Sequence, residues 1–311
     1  MKKSHRTLRL GTRGSPLALR QAEEVRQKIS ALHAEVAIEV VPIRTHGDWQ
    51  PGQKDRSFID SGGNKGMFTK EIEDSLKSGA IDIAVHSMKD VASRLPDGLV
   101  IAAILERADP REAFISKKSR TLDDLPPNST VGTSSVRRQA QILARRPDLR
   151  VVPLRGNVDT RLRKLDEGAA DATLLAVAGL VRLGVADRIT SIIETDVILP
   201  SGAQGALGIE IREKDDALRT LLQALNHAPT STCVRAERAF LEMLDASCQT
   251  PIGALARLQG DAITLEGLAA RPDGSELLRM NETGPARDPE TLGASLGKKV
   301  KANLPQDFFT A

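Results

Sequence analysis

Apolar and polar positions along this chain follow two periods, and the period switches several times. Leu8 and Leu10 open a short strand that runs into Gly11-Thr-Arg-Gly. Ser15 and Pro16 then have the character of an N-cap and a first helical residue, and Ala18, Ala22, Val25, Ile29 and Leu32 recur at helical spacing. Val36 to Ile43 is β-branched and predicts a strand. Residues 44–66 carry Gly, Asp, Ser, Asn and Lys without an apolar period, which predicts a long functional loop. Thr69 to Ser78 predicts a helix closed by Gly79, and Ile81 to Val85 an apolar strand ending at His86-Ser-Met-Lys-Asp90.

From about residue 110 the pattern resumes. Val131 leads into Gly132-Thr-Ser-Ser and a helix over Ser135 to Arg146; Leu149 to Leu154 reads as a strand, Val158 to Glu167 as a helix ended by Gly168, and Ala172 to Val177 as a strand. Strands alternating with helices predict βαβ units and parallel sheets. Leu199-Pro-Ser-Gly-Ala-Gln-Gly is a crossing segment of small residues, after which Ala206 to Ile211 reads as a strand able to rejoin the first sheet. The remainder is different in kind: a helix over Thr230 to Asp245, strands near 254–259, 262–269 and 276–282, and a final helix near 288–303. That order predicts an antiparallel α+β unit.

Composition narrows the function classes. A chain of 311 residues exceeds one ordinary core and suits two or three domains. Its 44 basic and 41 acidic residues leave a net charge of only +3, and six Phe, one Trp and no Tyr offer few platforms for stacking bases. Both facts disfavour nucleic-acid binding. The basic N-terminus is followed by no apolar stretch, which argues against a signal peptide, and no run of 18 apolar residues predicts a membrane span. Two cysteines fit a reduced cytoplasm better than a disulfide scaffold, and neither stands in a zinc motif, so no metal site is expected.

Candidate chemistry concentrates in arginine. Arg137, Arg138, Arg145, Arg146, Arg150, Arg155, Arg161 and Arg163 fall in one stretch that holds two Asp, no Glu and no Lys. Guanidinium forks bind carboxylate or phosphate in bidentate fashion. For Arg145, Arg146, Arg150 and Arg163 a solvated helix face is an equal reading. Arg137 and Arg138 follow Gly-Thr-Ser-Ser at a helix N-terminus, where added positive charge is unfavourable unless an anion is bound. Arg155 and the Thr12-Arg13-Gly-Ser-Pro16 segment stand at strand ends, where α/β proteins bind ligands. Cys233 shares a helical face with Ala236, Phe240 and Met243 and reads as core; Cys248, in a polar loop ending at Pro251, reads either as an incidental thiol or as a reactive one. Asp90 is either a catalytic carboxylate or a cap, Lys89 a solvated residue or a ligand cation, and His86 most simply closes its strand.

Ala84-Val-His-Ser-Met-Lys-Asp90, Gly132-Thr-Ser-Ser-Val-Arg-Arg-Gln139, Leu154-Arg-Gly-Asn157 with Thr160-Arg-Leu162, Leu175-Ala-Val-Ala-Gly-Leu180 and Cys248-Gln-Thr-Pro-Ile-Gly253 occur in order over about residues 8 to 300. In these motifs the chain resembles the porphobilinogen deaminase (hydroxymethylbilane synthase) family. Two departures, Gly63-Asn64-Lys65-Gly66 where the family often has Gly-Gly-Lys-Gly, and Ala246-Ser247 where it often has glycines, touch no reacting group. The resemblance implies an α/β fold of two periplasmic-binding-protein-like domains with a cleft between them, plus a smaller C-terminal α+β domain. Its boundaries would be 1–105 with 200–225, 106–199 and 226–311. It implies a dipyrromethane cofactor in thioether linkage to Cys248, four successive additions of porphobilinogen with loss of ammonia, and hydrolysis to hydroxymethylbilane. It also implies a cytoplasmic monomer.

By family position, Lys89, Ser135, Arg137, Arg138 and Arg161 would hold the cofactor's carboxylates. Arg13, Ser15, Arg155 and Arg182 would bind those of incoming substrate, Lys65 and Phe68 would belong to a loop over the cleft, and Gln21 would lie within it. Each pyrrole bears an acetate and a propionate, so a guanidinium lining matches the ligand. Loss of ammonia leaves an electron-poor, azafulvene-like centre, and Asp90 is the carboxylate assigned to stabilise it and to handle pyrrole N–H protons. The competing reading is a non-catalytic anion-binding protein of periplasmic type.

Overall fold

The computed structural model describes residues 7–45, 69–247, 250–305 and 307–309. They fall into two compact units, one of residues up to 107 with 206–231, the other of 108–205 with 232 onward.

In the first unit, β1 (Leu8–Arg13), β2 (Ile38–Ile43), β3 (Ile83–Ser87), β4 (Leu99–Ile104) and β10 (Leu207–Arg212) form one sheet in the order β2-β1-β3-β10-β4. β1 runs parallel to β2 and β3, whereas β10 is antiparallel to β3 and β4. The predicted return of the chain to the first sheet is therefore present, one residue later than its sequence pattern suggests. α1 (Pro16–Leu32) starts as expected: Ser15 caps it by accepting from the Ala18 N–H at 3.3 Å, and Pro16 takes the first position. Its buried Ala22, Val25 and Ile29 pack with Leu8, Leu10, Ile83, Val85 and Ile209 on one sheet face. α2 (Lys70–Lys77) lays Ile72 and Leu76 on the other face, against Ile81, Ala84 and Leu99. α6 (Asp216–Leu222) adds Leu218 and Leu222 to the first of these cores.

The second unit repeats the plan. β5 (Glu112–Ser116), β6 (Thr130–Gly132), β7 (Arg150–Val152), β8 (Ala172–Ala176) and β9 (Ser191–Ile193) are ordered β7-β6-β8-β5-β9. Again three parallel strands are followed by one antiparallel strand and an outer one. Here the antiparallel strand is the first in the chain; in the other sheet it is the last. α3 (Val136–Arg145), α4 (Val158–Asp166) and α5 (Val177–Leu183) accompany the sheet. The C-terminal strands β11 (Ile252–Gln259), β12 (Ala262–Ala270) and β13 (Leu277–Pro285) make an antiparallel meander. α7 (Ala228–Met243) and α8 (Pro289–Ala302) cover it through Ala236, Phe240, Leu292, Leu296 and Val300. Ala140 and Leu199 pack with Leu255, Leu268 and Ala270 of the meander.

The expected helices and strands are all present to within a few residues. The sequence pattern assigned no element to β4, β5, β9, α5 or α6. β5 is a short run buried on both sides, so it shows no alternation to read.

Candidate active site

The first group of predicted residues assembles inside the first unit. β1 and β3 are parallel neighbours, so their C-terminal ends emerge side by side. Arg13 ends β1, Ser87 ends β3, and a single turn, Met88–Asp90, carries Lys89 and Asp90 directly beyond it. That turn is anchored from below: the Met88 N–H donates to the Ala206 carbonyl at 3.0 Å, and Met88 lies over Gly208, where a Cβ would come within 2.1 Å of its sulfur. One pocket is lined by Arg13, Ser15, Gln21, His86, Ser87 and Asp90, together with Thr12 and Thr69. Gln21, which is 5% exposed, donates from Nε2 to Ser87 Oγ at 2.8 Å and fixes the pocket wall.

His86 does more than close its strand. Its Nε2 lies 2.9 Å from Oε2 of Glu210, and both side chains are buried. Glu73 of α2 is also buried, and its carboxyl is held above the usual carboxylate range, first by burial and then by nearby Glu210. Among the described residues no group of three or more His, Cys, Asp or Glu could hold a metal ion.

The second group lies in the second unit. Ser135 caps α3, its Oγ accepting from the Arg138 N–H at 3.4 Å. Arg137 and Arg138 stand in the first helical turn, as expected, yet each is only 5% exposed. Their anion is internal. Glu112, at the start of β5 and fully buried, accepts from Arg137 Nη2 at 2.5 Å and from Arg138 Nη2 at 2.7 Å. Burial pushes the Arg137 guanidinium down, while Glu112 opposes that shift.

Arg155 and Gly156 form the turn before α4. Gly156 has φ +118°, and a Cβ there would lie 2.7 Å from Thr160, so the turn admits glycine alone. Arg161 donates from Nε to the Gly156 carbonyl at 2.8 Å, and Asn157 caps the helix. Arg182 of α5 donates to the Gly205 carbonyl at 3.1 Å. Arg145, Arg146 and Arg163 instead make ion pairs with Asp123, Asp148 and Glu167, and Arg150 is exposed. The solvated helix face holds for Arg145 and Arg163; Arg146 is instead mostly buried, donating to the Leu122, Asp123 and Leu125 carbonyls, and Arg150 stands on β7 rather than on a helix. Cys233 is buried in the C-terminal core, as its spacing predicted. Cys248, Lys65 and Phe68 lie outside the described residues.

Five carboxylates buried among the described residues escaped the sequence reading: Glu73, Asp82, Glu112, Glu210 and Glu237. Glu237 accepts from the Ala203 N–H at 2.6 Å and the Ala256 N–H at 2.8 Å, tying α7 to the small-residue segment and to β11. That segment needs such a tie, since Ala203 has φ +61°. The available signal was an acidic residue inside or abutting an apolar run, as in Glu112-Ala-Phe-Ile115 and Leu207-Gly-Ile-Glu-Ile211.

These elements define a two-unit α/β protein with a third, antiparallel sheet. Residues 8–220 match the model for "porphobilinogen deaminase, dipyromethane cofactor binding domain", and residues 231–302 match that for the C-terminal domain of the same enzymes. Porphobilinogen deaminase of Nitrobacter winogradskyi is 49% identical over 303 residues, covering 97% of this chain and 95% of the relative. That of Paracoccus denitrificans is 49% identical over 304 residues, covering 97% and 96%. Among solved structures, a putative methionine-binding lipoprotein from Bacillus subtilis is similar at 15% identity and a TM-score of 0.45, covering 72% of this chain and 92% of that one.

The chain belongs to the porphobilinogen deaminase family. It is an enzyme, a hydroxymethylbilane synthase, and not a passive anion-binding protein: it joins four porphobilinogen units head to tail on a dipyrromethane primer, with loss of ammonia, in tetrapyrrole biosynthesis. Among the described residues no helix is long and apolar enough to cross a membrane.

Proposed function

We propose that the reaction is carried out by Asp90 in the pocket of the first unit, and that the primer is joined by a thioether to Cys248. Lys89, Ser135, Arg137, Arg138 and Arg161 hold the carboxylates of the primer. Arg13, Ser15, Arg155 and Arg182 bind those of the incoming porphobilinogen, and Lys65 and Phe68 belong to a loop over the site. The observation that carries this reading is the lining of one pocket by Asp90, Arg13, Ser15 and Ser87 at the ends of two adjacent parallel strands. The donor set fits a dipyrromethane: Arg138 Nε is a buried donor without a hydrogen-bond partner among the described residues, and one carboxylate serves two buried guanidiniums nearby.

When bound, the primer supplies the free pyrrole carbon to which the first substrate unit is joined. The protein's own part is positional and electrostatic. Arg13 and Ser15 grip substrate carboxylates at the end of β1, and Gln21 keeps Ser87 in place beside them. The Asp90 carboxylate accepts hydrogen bonds from pyrrole N–H groups and, staying ionised, stabilises the positive charge that grows on the substrate as ammonia leaves. Asp90→Ala is expected to keep its folded circular-dichroism spectrum and lose turnover by about 10²-fold or more, with little change in KM. Turnover within a few-fold of wild type would remove Asp90 from the chemistry.

We further propose division into three domains, at 1–105 with 200–225, 106–199 and 226–311, in keeping with three sheets that each have an apolar core. A cytoplasmic monomer is the assembly and location we infer; a single 33.5 kDa species in sedimentation tests the first.

A further inference from the structure

Arg137 and Arg138 are buried side by side at the N-terminus of a ten-residue helix, the end that already carries partial positive charge. Among the described residues, Glu112 is the carboxylate that answers both. Its Oε2 takes Arg138, and its Oε1 takes Arg137 together with Nε2 of Gln204 at 3.2 Å. The rest of the Arg137 fork is fixed: Nη1 donates to the Leu199 carbonyl at 2.6 Å. Leu199 is in turn clamped through both its N–H and its carbonyl by Gln141, at 2.7 and 3.1 Å. The ionic neighbours acting on Arg137 are Glu112, favourably, and Arg138, unfavourably. One carboxylate thus stands against two guanidiniums, and Arg138 Nε has no partner among the described residues. A buried pair held this way is oriented but under-neutralised by one charge.

We propose that Glu112 is the positioning residue of this arginine pair. It holds both guanidiniums as a preformed fork before any ligand is bound and, by cancelling one of their two charges, sets the pair to accept one further carboxylate. This inference rests on the reading that Arg137 and Arg138 hold the primer. Without Glu112, the two cations would repel each other in the unloaded protein, and a bound carboxylate would relieve part of that repulsion. Glu112 therefore matters more to the unloaded chain than to the loaded one, which a purely structural residue would not.

The test compares the full chain produced without porphobilinogen against the same chain loaded by added porphobilinogen, with loading read by intact mass and stability by thermal unfolding. Glu112→Gln is expected to lower the Tm of the unloaded chain more than that of the loaded one, widening the loading shift by about 3 °C or more over wild type. The double variant Glu112→Gln, Arg138→Gln is expected to recover most of the unloaded Tm. Equal losses in both forms, or no recovery in the double variant, would overturn the proposal. If Glu112→Gln yields no folded chain, a folded double variant supports charge compensation, and an unfolded one contradicts it. Failure of the underlying reading has a separate signature: Arg138→Gln alone would then load normally and show the wild-type loading shift.

Discussion

Asp171 shows how much one side chain can be made to do where a sheet begins. Its Oδ2 accepts from the N–H of Thr130 at 2.7 Å and from the Thr130 hydroxyl at 2.8 Å, while its other oxygen pairs with Lys118. The Lys118 ammonium, then the two Thr130 donors, hold the carboxyl down at about 2. A carboxyl depressed in the folded state stabilises the protein above its unfolded value, about 3.9, and that stabilisation disappears as pH falls toward the folded one. Asp171→Asn should therefore be less stable than wild type at neutral pH, and the gap should close between about pH 4 and pH 2. Denaturant titrations across that range check it; a gap independent of pH would contradict the assignment.

The same scale shows what could be read from residues and what could not. Arg137 and Arg138 were legible because positive charge in a first helical turn is anomalous. Glu112 was not, because a lone acidic residue before Ala-Phe-Ile looks like a loop end until the strand is known to be central. His86 lost its partner on paper for the same reason: Glu210 lies 124 residues away in sequence, on a strand paired antiparallel to its own.

At the level of elements, legibility followed burial. Helices with one apolar face, such as α1, were read with their caps, and the return strand β10 was placed in the correct sheet. The strand β5, buried on both faces, left no period to detect. Close helix contacts were also silent. Gly293 of α8 lies against α7 so tightly that a Cβ would stand 2.2 Å from the Ala236 carbonyl oxygen and 2.8 Å from Ala239 Cβ. The first of these is backbone and cannot swing aside, so the helices must separate. Gly293→Ala should cost about 1–3 kcal/mol, although alanine is the better helix former. A Tm equal to or above wild type would show that the helix pair yields more easily than its packing implies.

For the whole molecule, two sheets of one strand order and a covered antiparallel meander agree with the alternating and then antiparallel patterns in the sequence. Within the described residues, the motifs of the first two sheets that pointed to the family fall at strand ends, helix caps and turns, where α/β proteins place ligands. The central claim is that this chain carries a primer on Cys248 and extends it. Intact-protein mass tests that claim most directly. Chain produced with a normal supply of porphobilinogen should be heavier than its sequence by one dipyrromethane, and Cys248→Ala should lose that increment while remaining folded. A bare wild-type mass, or an increment that survives in Cys248→Ala, would contradict the account.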